Sequence, residues 1–210
     1  VNSILGKVVW YRNIGTRKAP KLAAAQPVEV EWPRGQPALK WGWMRPEGKG
    51  LLTQWRTTPV VVDWNKDGLN DLIMLDHEGY LTHLPRARRD GRLVLDAPQR
   101  IFETQKPGYV RLNTRTAGGS GRRKLCVVDW DGDGALDVLA NSPNAELWKN
   151  VGSREGMTRL INQGTLFQRN ISSHTTSPTV VDWNGDKVPD LLVGAEDGFL
   201  YYGRNKRSQR

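Results

Sequence analysis

The amino-acid sequence predicts an all-β fold, a β-propeller of four-stranded antiparallel blades with about 3.5 blades present. Three observations predict it. A nine-residue acidic loop recurs three times behind the same kind of apolar strand, in VVVDWNKDGLNDL (60–72), CVVDWDGDGALDV (126–138) and TVVDWNGDKVPDL (179–191). The first aspartates of the loops, Asp63, Asp129 and Asp182, stand 66 and 53 residues apart, about the length of one blade with its connections. Short β-branched runs alternate with Asp/Asn/Gly turns throughout, and no convincing amphipathic helix interrupts them.

Residues 1–205 are expected to form the propeller portion, and its elements follow in order. Residues 1–14 read as a blade end, because 1–13 align without a gap to 193–205 around Gly6 and Gly198. Residues 15–52 carry several prolines and no acidic loop, and are expected to supply an outer strand and a face loop. The acidic-loop units then lie at about 57–85, 122–151 and 176–205. Each runs from an apolar strand through the loop to a second strand (DLIML, DVLAN, DLLVG), a turn (HEGY, PNAE, EDGF) and a third strand (LTHL, LWKN, LYYGRN). Residues 206–210 form a basic tail. Closed propellers need at least about four blades, so an upstream segment or a second chain is expected to supply the missing ones.

The loops point to a metal. Positions 1, 3, 5 and 9 are Asp63, Asn65, Asp67 and Asp71 in the first, Asp129, Asp131, Asp133 and Asp137 in the second, and Asp182, Asn184, Asp186 and Asp190 in the third. Three or four carboxylates within nine residues repel one another unless a cation sits among them. An all-oxygen set of this kind suits Ca2+, with the position-7 carbonyls of Leu69, Ala135 and Val188 as further ligands. Gly68 and Gly134 at position 6 fit a left-handed backbone, whereas the third loop places Lys187 there, at a cost of about 1 kcal/mol and with a cationic side chain close by. The role of these ions is structural, tethering two strands of one blade. Trp64, Trp130 and Trp183 fill position 2 in each copy and are expected to pack between blades.

Charged residues make up 25% of the chain and hydrophobic ones 38%, the balance of a globular protein rather than a disordered one. No apolar run approaches the roughly 18 residues of a membrane span. The lone cysteine, Cys126, lies within an apolar strand and reads as a small core residue. The net charge is +9, with Lys and Arg clustered at 86–89, 122–124 and 204–210; such a surface favours polyanions as well as solubility. Acidic polysaccharide fits better than nucleic acid, since the acidic loops would be spread over the surface and no nucleic-acid motif is present.

Candidate ligand-binding residues precede the inner strands, which line the axis of a propeller. Alignment on the loops brings together Trp55, Arg56 and Thr57, then Gly121, Arg122 and Arg123, then His174, Thr175 and Thr176. Arginine can grip a uronate carboxylate and tryptophan can stack on a sugar ring; ordinary loop cover is the alternative. On the turn 76–80, His77 and Tyr80 are spaced to act as base and acid in a β-elimination beside a carboxylate neutralised by Arg56, with His174 as another ionisable candidate. An exposed turn histidine without chemistry is the plainer reading, and His83 on the following strand is a weaker candidate. Trp41 and Trp43 have no repeat partner and share one face of an extended segment, where they either stack on sugar or seal the propeller edge.

The D-x-[DN]-x-D-G-x-x-D-L loops, the turn and strand from Asp197 to Tyr202, and the segment from Tyr11 to Thr16 resemble the FG-GAP/VCBS repeat family of calcium-binding β-propeller modules. The resemblance covers about half the residues directly and implies fold and metal, not activity, because adhesins, lectin-like modules and polysaccharide lyases share it. Propeller lyases are similar in using His, Tyr and Arg, although no residue-by-residue match carries their motifs over. The expectation is therefore a calcium-stabilised segment of an extracellular or periplasmic carbohydrate-active protein, with lyase action on uronate-containing polysaccharide as one version. A non-catalytic glycan-binding or adhesion module is the other.

Overall fold

A computed structural model describes residues 6–38, 47–51, 53–113, 123–142, 144–168, 170–171 and 176–207. Every regular element among them is a β-strand, as the turn-punctuated sequence requires. The chain divides into two compact units, one of Val1–Gln99 with Arg111–Gly121 and the other of Arg100–Val110 with Arg122–Arg210.

In the first unit, β1 (Val9–Trp10) pairs with β2 (Gln26–Pro27). The first acidic-loop unit forms an antiparallel sheet of β3 (Val60–Val62), β4 (Asp71–Leu75) and β5 (Leu81–Leu84). Pro85 then separates β5 from a hairpin of β6 (Arg86–Arg89) and β7 (Arg92–Leu95). Asp90 and Gly91 turn that hairpin with φ of 50° and 74°, both left-handed as a type I′ turn needs. Strand β4 is buried along its whole length, which is why DLIML reads as an unbroken apolar run after its aspartate. Its Leu72 and Met74 pack with Leu84, Leu95, Val8, Val30 and Leu51 in the core of this unit.

The second unit holds the largest sheet among the described residues, of five strands. Strands β9 (Leu125–Val128), β10 (Asp137–Asn141), β11 (Ala145–Arg154) and β12 (Met157–Thr165) make four antiparallel neighbours. Earlier in the chain, β8 (Phe102–Glu103) joins the outer edge parallel to β12. The third acidic-loop unit contributes three strands, β13 (Thr176–Val181), β14 (Asp190–Ala195) and β15 (Leu200–Gly203). A run of four antiparallel neighbours thus occurs once among the described residues, and the other two acidic-loop sheets have three strands each.

The two sheets of this unit bury a common core. Leu139 and Leu147 of one pack with Leu191 and Val193 of the other, flanked by Cys126, Trp130, Val180 and Tyr201. Cys126 is accordingly a half-buried core residue, with its thiol pushed up by burial. Strand alternation sends the remaining residues of β13–β15 to the opposite face. There Val181 is 39% exposed, Leu200 61% and Tyr202 43%, and Trp183 in the adjoining loop is 60% exposed. Position-2 tryptophans therefore differ in burial: Trp130 packs against the core while Trp183 faces solvent.

Candidate functional site

Each acidic loop joins the first two strands of its sheet and repeats one hydrogen-bond ladder. The position-6 N–H donates to Oδ2 of the position-1 aspartate: Gly68 to Asp63 (2.9 Å), Gly134 to Asp129 (3.0 Å) and Lys187 to Asp182 (3.0 Å). The position-7 N–H donates to Oδ1 of position 5: Leu69 to Asp67 (2.8 Å), Ala135 to Asp133 (2.8 Å) and Val188 to Asp186 (2.9 Å). Such a ladder folds the loop back so that its side-chain oxygens converge. It also needs left-handed backbone at position 6, where φ is 85° at Gly68, 86° at Gly134 and 66° at Lys187. Lys187→Gly should therefore raise stability by about 0.5–1 kcal/mol in a urea titration. A loss of stability would show that the lysine contributes contacts outweighing its strain.

Position 9 opens the second strand, and its aspartate is fully buried in all three copies, at Asp71, Asp137 and Asp190. Oδ1 accepts an N–H from the third strand or from the second residue beyond it: Arg86 (2.7 Å), Asn150 within β11 (2.8 Å) and Asn205 (2.8 Å). Oδ2 accepts the position-2 N–H of Trp64 (3.2 Å) and Trp130 (3.0 Å). In two copies a side chain from the third strand joins it. His83 Nε2 lies 2.8 Å from Asp71 Oδ2, and the Tyr202 hydroxyl donates to Asp190 Oδ2 at 3.0 Å. This aspartate thus ties the loop to both neighbouring strands.

In the second loop, Asp129, Asp131 and Asp137 each offer a carboxylate oxygen within 4.8 Å of the others. Two oxygens facing each other across one calcium ion, each at about 2.4 Å, would be about 4.8 Å apart. The donor set is oxygen throughout, so these residues can hold a hard cation. A cationic group already lies among the acids. Lys149 on β11 forms an ion pair with Asp131 Oδ2, and its Nζ is 3.6 Å from Asp133 Oδ2. The hydrogen bond from Lys149 holds the Asp131 carboxyl below the ordinary range, whereas burial pushes that of Asp137 above it.

The turns between second and third strands lie at the other end of each sheet, beside the start of the first strand, because β3 runs antiparallel to β4. In the first unit this end gathers several sequence-predicted residues. Asp76 Oδ1 accepts from the N–H groups of Glu78 (2.9 Å) and Tyr80 (3.1 Å), shaping the turn that carries His77 and Tyr80. Gly79 has φ 88°, and a Cβ there would fall 2.1 Å from the Asn113 carbonyl oxygen and 3.1 Å from Gln54 Nε2. Only glycine admits that approach, which seats Gln54 and residues 112–113 against the turn. Arg111 stacks over the Tyr80 ring at 5.0 Å and Arg56 over the Trp55 ring at 4.3 Å.

Gln54 is fully buried and uses Oε1 to accept from Asn113 Nδ2 at 2.9 Å. Its Nε2 and the Nε of Arg56 are buried without a hydrogen-bond partner among the described residues. Arg56 also sits at φ 59°, an uncommon conformation for a residue with a side chain. In the second unit Arg123 donates to the Asn141 carbonyl at 2.7 Å, at the corresponding end of its sheet. Arg122, His174, Trp41 and Trp43 lie outside the described residues.

Several site residues had no sequence signal that singled them out. His83 was the weaker histidine, yet it is the one paired with a loop aspartate. Lys149 resembles any strand lysine until the register places it opposite Asp137. Within the basic tail, Arg207 Nε donates to the Trp130 carbonyl at 3.0 Å, and Asn205 Nδ2 to the same oxygen at 3.0 Å. One signal was present for Asn205, its alignment with Asn13 in the match of 1–13 to 193–205; Asn13, Asn150 and Asn205 each accept the N–H two residues on, at 3.0, 2.9 and 3.0 Å.

No curated protein and no solved structure matches the chain. Residues 129–193, which span the second and third acidic loops with the strands between them, match the family model of the FG-GAP-like repeat, and this supports the FG-GAP repeat family for that part of the chain.

Proposed function

We propose that the chain is a calcium-stabilised β-propeller module of an extracellular or periplasmic protein that binds acidic glycan at the turn end of the first unit. The observation that carries the binding role is a pair of buried donors close in sequence, Gln54 Nε2 against the turn 76–80 and Arg56 Nε two residues on. Buried donors without acceptors are costly, and a carboxylate or sugar oxygen would supply what they lack once the side chains covering them move aside. Trp55 stacks under the Arg56 guanidinium at 4.3 Å and so helps to position it. The acidic loops support the calcium assignment, and calcium sites of extracellular modules fill at the roughly millimolar concentrations found outside cells. The apolar face of β13–β15 supports a further expectation, that additional blades from an upstream segment or a second chain pack there.

The test is titration of the full chain, with calcium, against uronate oligosaccharides and their carboxyl-reduced counterparts. Arg56→Ala should weaken uronate binding about tenfold or more, the scale of one charge-assisted hydrogen bond. Equal affinity for the two glycans, or no effect of the substitution, would remove the acidic-glycan role. A lyase reading has its own support in His77 and Tyr80 on the same turn. It predicts ultraviolet-absorbing unsaturated ends on a cleaved uronate polymer, lost in His77→Ala. Binding without such products leaves the non-catalytic module.

A further inference from the structure

The second acidic loop differs from the first in what its third strand brings to it. The register sets Asp137 opposite Lys149, extending the pairing of Val138 with Trp148. The same extension sets Asp71 opposite Pro85, which carries no charge, and Asp190 opposite Arg204. The hairpin of the second blade is two residues shorter than those of its neighbours, so a residue chosen by counting from the loop aspartate would not be the equivalent one. Strand β11 is fixed on both sides, by β10 and by β12, where Lys149 pairs with Ile161. Its side chain therefore rises from a rigid base, and the ammonium reaches Asp131 and Asp133.

Asp131 belongs to two groups at once. It is one of the three carboxylates whose oxygens converge, and it is the ion-pair partner of Lys149. A divalent cation drawing on Asp131 must meet or displace the ammonium, since like charges a few ångströms apart repel strongly away from bulk water. The ammonium is also tethered, so it competes at a high local concentration that does not change with the solution. Arg207, whose guanidinium lies where a Cβ on Gly132 would stand, adds a second positive group beside this loop. The sequence marks the third loop as the irregular one through Lys187, but the lysine that reaches loop carboxylates in the second loop comes from a neighbouring strand.

We propose that Lys149 is a built-in competitor for the cation of the second loop. It makes this loop bind calcium more weakly than the first and lets it keep its shape at low calcium. The inference rests on the calcium reading above. When the binding-competent fraction is reduced by an internal competitor, the apparent dissociation constant rises by the same factor. A lysine engaged nine-tenths of the time thus weakens the site about tenfold.

The experiment compares the full-length wild-type chain with Lys149→Met and Lys149→Arg by calcium calorimetry and by terbium luminescence. Trp130 at position 2 sensitises the second loop, so the emission lost in Trp130→Phe belongs to it. Lys149→Met should tighten that site about tenfold or more, while Lys149→Arg stays close to wild type. In chelator, Lys149→Met should melt below wild type, with the gap closing or reversing in saturating calcium. Unchanged or weaker binding at the second loop in Lys149→Met, with the other loops still binding, would overturn the role of Lys149 and leave the calcium reading standing. Failure of the wild type and of Lys149→Met alike to bind calcium at any loop would overturn both.

Discussion

Asp71→Ala is expected to lower stability by about 3–5 kcal/mol, read as a shift of the urea midpoint with calcium chelated so that metal loss does not contribute. Asp71 is fully buried and accepts from the N–H groups of Trp64 and Arg86 and from His83. Alanine leaves those donors without this acceptor, at about 1–3 kcal/mol for each that water cannot reach. It also leaves His83, only 5% exposed, without its carboxylate partner. His83→Leu should be much milder, because both backbone donors keep their acceptor. The second blade already carries a leucine, Leu147, at the register position of His83. A loss below about 1 kcal/mol in Asp71→Ala would mean that the position-9 aspartates do not tie loop to strand.

What the sequence made legible is what neighbouring residues determine. The acidic loops, their left-handed position 6 and the Asp/Gly turns follow from spacing and from the conformations Asp, Asn and Gly adopt. All were readable, including the oddity of Lys187. DLIML and DVLAN were readable as strands, and the structure buries both along their whole length. Less legible were contacts set by register between distant strands. His83 and Tyr202 meet equivalent aspartates although neither is near its partner in sequence. Lys149 reaches the second loop from a strand whose hairpin is shorter than its counterparts. Arg207 looked like part of a solvated basic tail, and its hydrogen bond to Trp130 depends on how the third sheet packs on the second blade.

The turn end of the first unit was half legible. Alignment on the loops selected Trp55 and Arg56, and the turn selected His77 and Tyr80. Gln54, whose buried amide is central to the binding proposal, carries no motif. Its place depends on Gly79 admitting Asn113, and that pairing joins segments far apart in the chain.

Calcium removal has the largest expected effect of all. Each loop filled at ten to a hundred times its dissociation constant contributes about 1.4–2.7 kcal/mol by mass action. Two or three such loops sum to about 3–8 kcal/mol. For a chain of this length each kcal/mol moves the melting temperature by about 2–4 °C, so stripping calcium should lower it by roughly 6–30 °C. The first loop should dominate if Lys149 weakens the second. The central claim, that the repeated acidic loops are cation sites tethering the strands they join, is tested most directly by melting the full chain in millimolar calcium and in chelator. The account predicts the large drop, restored by adding calcium back; an unchanged melting temperature would contradict it.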